Sequence, residues 1–254
     1  AKDNCSPGYS TVGEVSITVS GQTYYVSRAV VSVSDWSRGD GFPWSIVAHE
    51  IGHALGLGHA NGLECGDQAD GGNCLDVEYG NAFDGMGSGL GNHFNAVLKS
   101  QLGWLDPASI LTITQSGRYT INPLELNSGI RLAKIVLPNF TTPYYFEYRR
   151  AYGYDSNLNS ANQYGLMAEV GTRLISPYQF PPYLSDNIML VDFTPDPSIS
   201  NNILYLLQNF RTDVLNGAVL SVGQVFYDRI NSISIGPVIS ANDNGITFDI
   251  NMNP

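Results

Sequence analysis

The sequence predicts an α+β protein, in which an N-terminal part built around one helix is followed by an all-β sandwich. Three observations predict it. Residues 11–34 alternate with a period near two; a helical pattern runs from Pro43 to the glycines at 56 and 58; and from residue 110 to the end the chain is a series of short β-rich runs separated by turn signals. The texture changes at Asp106-Pro107, which places domains at 1–107 and 108–254. A length of 254 residues accommodates two such units.

Taken in order, VGEVSITVS and TYYVSRAVVSVS read as two strands joined at Ser20-Gly21. Pro43 opens the helix WSIVAHEIGHALGLG, which Gly56 and Gly58 end. Residues 61–92 are rich in Gly, Asn and Asp and carry no periodic pattern. A loop of that length in a compact domain is usually functional or tied down by bonds and metals. HFNAVLKSQLGW (93–104) is a short amphipathic helix with Phe94, Val97, Leu98 and Leu102 on its apolar face, Asn92 as N-cap and Gly103 as stop. The runs ILTIT, GRYTI, AKIVL, YYFEYR, GLMAEV, NIMLVDF, AVLSV, SISIG and GITFDI then supply the sandwich.

Composition narrows the function. Hydrophobic residues make up 43% and charged residues 14%, as in a globular protein. The net charge of -11, with no basic run, argues against nucleic acid or an anionic membrane as partner. No apolar run approaches the roughly 18–20 residues that span a bilayer. A polar but uncharged surface is common in secreted proteins. No signal peptide is visible at the Ala1 end, so a secreted form would already have lost it. Of the cysteines, Cys65 and Cys74 flank a Gly/Asp-rich loop and are candidates for a disulfide, with free thiols as the alternative; Cys5 is left over. Sequons stand at Asn4 and Asn139.

The chemistry is concentrated in HEIGHALGLGH, which holds three of the four histidines: His49, His53 and His59. Residues i and i+4 of a helix share a face, so His49 and His53 can bind one ion through imidazole nitrogens at about 2.0–2.1 Å. Gly56 permits the sharp turn that returns His59 to the same ion. Three neutral histidines leave the fourth position of a zinc tetrahedron open, as in catalytic sites. Water there has its pKa lowered toward about 7, and Glu50 is placed to act as general base and then acid on a peptide bond.

These residues resemble the HExxHxxGxxH signature of the metzincin zinc peptidases. The resemblance implies a methionine turn beneath the metal, for which FDGMGS (83–88), with Met86, is the candidate. HFNAVLKSQLGWL is similar to the helix after that turn in the gametolysin-like peptidases (family M11) and their bacterial relatives, and YYFEYRRAYGYD is similar to a later segment of the bacterial proteins. The likeness covers residues 45–105 well and the β-rich half loosely. It implies a secreted zinc endopeptidase acting on protein or peptide substrates.

Two departures stand out. Ser88 occupies the place where many metzincins have a tyrosine, and only residues 1–48 precede His49 where the family has a longer N-terminal part. The second departure suggests either a metzincin-like domain lacking its N-terminal portion, with that segment or a partner chain absent from this sequence, or a trimmed version of the fold. It also motivates a rival reading, a non-catalytic, zinc-stabilised extracellular structural or adhesive protein on the same scaffold. A zinc hydrolase with a non-peptide substrate is a further rival.

Other residues carry weaker expectations. Asp67, Asp70, Asp76, Glu78 and Asp84 make calcium (Ca2+) a second candidate ion beside Zn2+, although EF-hand spacing is lacking and solvated acids are the alternative. His93 either bonds near the site or simply starts the following helix. Trp36, Trp44 and Trp104 read as core or cleft wall. YYFEYRRAYGYD reads either as a carbohydrate- or protein-binding face or as a sheet with one buried side.

Overall fold

The computed structural model describes residues 8–32, 44–64, 75–89, 91–135, 143–158, 164–171, 188–194, 217–229 and 231–252. Cys5, Cys65, Cys74, Asp67, Asp70, Trp36, Asn4 and Asn139 lie outside them, and with them the expected disulfide. Before the junction at 107/108 the elements are β1 (Gly8–Ser10), β2 (Val15–Val19), β3 (Gln22–Val26), β4 (Ala29–Val31), α1 (Trp44–Ala54), β5 (Ala60–Glu64), β6 (Leu75–Val77) and α2 (Ala96–Gln101). After it come β7 (Ile110–Ile113), β8 (Gly117–Ile121), β9 (Leu132–Ile135), β10 (Tyr144–Tyr148), β11 (Gly165–Gly171), β12 (Ile188–Val191), β13 (Leu220–Ser221), β14 (Phe226–Asp228), β15 (Ile233–Asn242) and β16 (Gly245–Met252). The protein is β-rich, with several sheets.

Each of the nine β-rich runs read from the sequence carries a strand. An eight-stranded sheet has the order β6-β5-β12-β11-β10-β9-β7, with β13 also on β11; a four-stranded sheet has the order β14-β15-β16-β8. The alternation of β10 sends Tyr144, Phe146 and Tyr148 to one face. There they pack with Phe248, Ile250, Ile235 and Ile121 of the smaller sheet in the largest apolar cluster. The Phe146 and Phe248 rings lie 5.6 Å apart. The opposite face of β10 does not meet solvent. Tyr145 packs with the cluster containing Ala96 and Val97 of α2, and Glu147 and Arg149 are fully buried.

The larger sheet crosses the 107/108 junction. β5 pairs in parallel with β12, Ile188 opposite Ala60 through Val191 opposite Leu63, and β6 adds antiparallel to β5. This corrects the reading of 61–92 as devoid of regular structure: β5 and β6 form because β12 offers a paired edge that only the distant chain supplies. The second helix also differs from the reading. α2 begins at Ala96, and its N-cap is Asn95, whose side chain accepts from the Leu98 amide at 2.8 Å. Asn92 is not the cap because it sits in a bend ahead of the helix, its own amide bonded to the Gly89 carbonyl at 3.0 Å and the next one, of His93, turned to Asp155 at 2.8 Å. Trp44 (71% exposed) and Trp104 (55%) are surface residues and not core. β2 and β3 form the expected hairpin, and β1 and β4 pair beside α1.

Candidate metal centre

The end of α1 sets the site. Gly56 adopts φ +99°, its amide bonds to the His53 carbonyl at 2.8 Å, and the Leu57 amide reaches back to the Gly52 carbonyl at 3.0 Å. This paired arrangement closes a helix through a left-handed glycine. It also aims the Leu57 carbonyl back at the helix, where it accepts from His53 Nδ1 at 2.8 Å. The chain then turns to bring His59 alongside, and one ring nitrogen from each of His49, His53 and His59 lies within 4.8 Å of the others.

Every Nδ1 of the three is committed. His49 Nδ1 bonds the Gly85 carbonyl at 2.8 Å, His53 Nδ1 the Leu57 carbonyl at 2.8 Å, and His59 Nδ1 the Glu78 carboxylate at 2.9 Å. Carbonyls and carboxylates only accept, so each Nδ1 carries the proton and each Nε2 is left with a lone pair. Such outer hydrogen bonds fix ring orientation and raise basicity in metal sites.

His53 Nε2 and His59 Nε2 stand 3.1 Å apart. Two lone pairs at that separation repel unless a cation lies against both. Burial, chiefly, lowers the pKa of His53 to about 4 and that of His59 below its ordinary value, which disfavours a proton in that role near neutral pH. A tetrahedral ion with bonds of about 2.0–2.1 Å needs an N–N edge near 3.3 Å. The donor set therefore fits a metal ion.

Glu50 follows His49 on α1 and is buried; its Oε2 has no hydrogen-bond partner among the described residues. Burial raises its pKa, with the neighbouring His49 opposing. Gly8 of β1 lies over this carboxylate so closely that a Cβ there would run into it.

Met86 is fully buried with Leu57, Ala60 and Leu98. It lies directly against Gly52, where a Cβ would fall on its Sδ. The turn holding Met86 is locked by Asp84, which accepts from the Met86 amide at 2.6 Å and the Asn95 amide at 2.5 Å.

Other expected residues sit elsewhere. Asp84 spends its oxygens on the backbone, Asp76 accepts from Asn61 at 2.7 Å, and Glu78 serves His59. Among the described residues no second metal-ligand group accompanies the histidines. His93 is not part of the cluster: its ring lies edge-on to that of Tyr154 with centroids 5.4 Å apart, its amide goes to Asp155 and its carbonyl accepts from Arg149. Ser88 is tied by its amide to the Tyr79 and Asn81 carbonyls.

The sequence reading missed Tyr79. Its ring lies 3.8 Å from that of His59 and 5.8 Å from that of His49, and its φ of +61° is rare for an aromatic residue. The reading also missed the roles of Glu78, Glu147 and Arg149. Only Glu78 had a signal, as one acid among several in the loop.

No protein-family model matches the chain, and no curated protein or solved structure does either. What the described residues define is a β-rich protein whose three clustered histidines are able to hold a metal ion. No helix among the described residues is long and apolar enough to cross a membrane.

Proposed function

We propose that the protein is a secreted zinc endopeptidase of metzincin type, similar to the gametolysin-like enzymes, with His49, His53 and His59 as ligands and Glu50 as general base. One observation carries the reading: three histidines with every Nδ1 bonded to an acceptor offer their Nε2 atoms to one ion, beside a buried carboxylate with one oxygen that no described residue binds. Zinc held by three neutral imidazoles supplies a Lewis acid and an activated water at an open position.

The remaining steps belong to the chain. Glu50 Oε2 takes the proton of the attacking water and returns it to the departing amine. Its burial favours that transfer, because a carboxylate stripped of water is a stronger base than one in solution. Tyr79, 41% exposed, lies against the outer side of His59 and forms part of the wall a substrate meets.

A purely structural zinc protein has no need of Glu50. The test is casein and gelatin cleavage by the wild type and by Glu50→Gln, with zinc content measured on both. The expected result is equal zinc and a loss of cleavage of about 10²-fold or more in the variant. Equal zinc with no cleavage by either protein would leave the zinc-stabilised structural reading in its place.

A further inference from the structure

The β-rich half reaches the segment around Met86 through buried charged side chains, of which Arg149 is the cation. Arg149 follows β10 and is completely buried. Its Nη1 donates to the Phe83 carbonyl and its Nη2 to the His93 carbonyl at 2.9 Å. Those two carbonyls bracket the segment that holds Gly85 and Met86. The guanidinium is itself held, Nε paired with Glu147 Oε1 at 3.0 Å and Nη1 lying 3.6 Å from Asp155 Oδ2.

The same two acids grip the far end of the segment. Asp155 Oδ1 accepts from the His93 amide at 2.8 Å, and Glu147 Oε2 from the Ala96 amide at 2.6 Å. Asp84, inside the bracket, accepts from the Met86 amide and from that of Asn95 just beyond it. A Cβ on Gly85 would come within 3.0 Å of the Asn92 carbonyl, so the segment is folded tightly upon itself. Among its described residues, the carbonyl bonded to a histidine of the cluster is that of Gly85, which accepts from His49 Nδ1 at 2.8 Å.

We infer that Arg149 is a positioning residue for His49, acting through the Phe83–His93 segment and the Gly85 carbonyl. The β-rich half is then a working part of the metal centre. The device is selective. His53 is anchored within its own helix turn by Leu57, and His59 by Glu78 beyond β6; neither anchor belongs to the bracketed segment. A planar guanidinium is needed, because a lysine ammonium cannot bridge two carbonyls and two acids in that fixed geometry. The inference rests on the metal-centre reading for its consequence but not for its geometry.

The experiment is side-chain 1H–15N NMR of the histidine rings in the whole chain, zinc-free and zinc-loaded, for wild type, Arg149→Lys and Glu78→Ala. Zinc affinity is measured beside it by chelator competition. Arg149→Lys is expected to shift or broaden the His49 Nδ1–H signal, to leave those of His53 and His59 in place, and to weaken zinc binding by about tenfold. Glu78→Ala is expected to move the His59 signal and spare His49.

If Arg149→Lys does not fold, Glu147→Gln keeps an oxygen for the Ala96 amide while removing the ion pair, and is expected to show the same selectivity for His49. An unmoved His49 signal in a folded variant would overturn the proposal, and so would equal movement of all three rings. A wild type that binds no zinc would defeat the peptidase reading alone, since the zinc-free spectra still decide whether Arg149 holds His49.

Discussion

Glu78 accepts from His59 Nδ1 at 2.9 Å although its own side chain is 69% exposed. The pair contributes little as an ion pair in water. Its effect lies in fixing which nitrogen of His59 faces the cluster. Removing such a partner typically costs 10–100-fold in metal affinity. Glu78→Ala is therefore expected to weaken zinc binding by about that factor, with a loss in unfolding free energy of the zinc-free protein below ~1 kcal/mol. Chelator competition and urea unfolding check the two parts, and an unchanged affinity would remove Glu78 from the site.

Gly52 separates two opposing forces. An alanine in a helix interior normally gains about 1 kcal/mol over glycine. Here its Cβ would fall on the Sδ of Met86, which is fully buried with little room to yield. Overpacking costs about 1–3 kcal/mol, so Gly52→Ala is expected to be net destabilising in urea unfolding. A gain in stability would show that Met86 moves aside freely.

His93 predicts a pH dependence. Burial first, then Lys99 and Arg149, lower its pKa to about 4, with Asp155 opposing. The unfolded chain takes up this proton near 6.5, before the folded protein does. Its contribution to stability is thus complete above about pH 6.5 and is lost as the pH falls toward 4. Urea unfolding in EDTA from pH 7 to pH 4 is expected to fall more steeply for the wild type than for His93→Gln. Parallel curves would contradict the assignment, since the other titrating groups are common to both proteins.

Much of this was legible in the sequence. The hairpin, α1 and the nine β-rich runs follow from periodicity and turn residues. The cluster of candidate ligands follows from the i, i+4 spacing of His49 and His53 and the turn at Gly56. What anchors the ligands was not legible, for physical reasons. Two of the three Nδ1 partners are backbone carbonyls, of Gly85 and Leu57, and carry no residue signature. The alternation in YYFEYR separates an aromatic face from one bearing Glu147 and Arg149, and a charged face ordinarily reads as solvated. It is buried because α2 and the segment from Phe83 to Asn95 cover that side of the sheet, a contact between residues more than fifty positions apart. β5 was hidden for a similar reason, since its pairing partner β12 lies far along the chain.

Zinc-edge X-ray absorption on the purified, zinc-loaded protein decides whether the proposed three-histidine centre is an open zinc site. One zinc per chain is expected, with three imidazole nitrogens and one oxygen donor at about 2.0–2.1 Å, and loss of one imidazole in His59→Ala. A shell containing sulfur at about 2.3 Å, or four protein ligands with no exchangeable position, would contradict it.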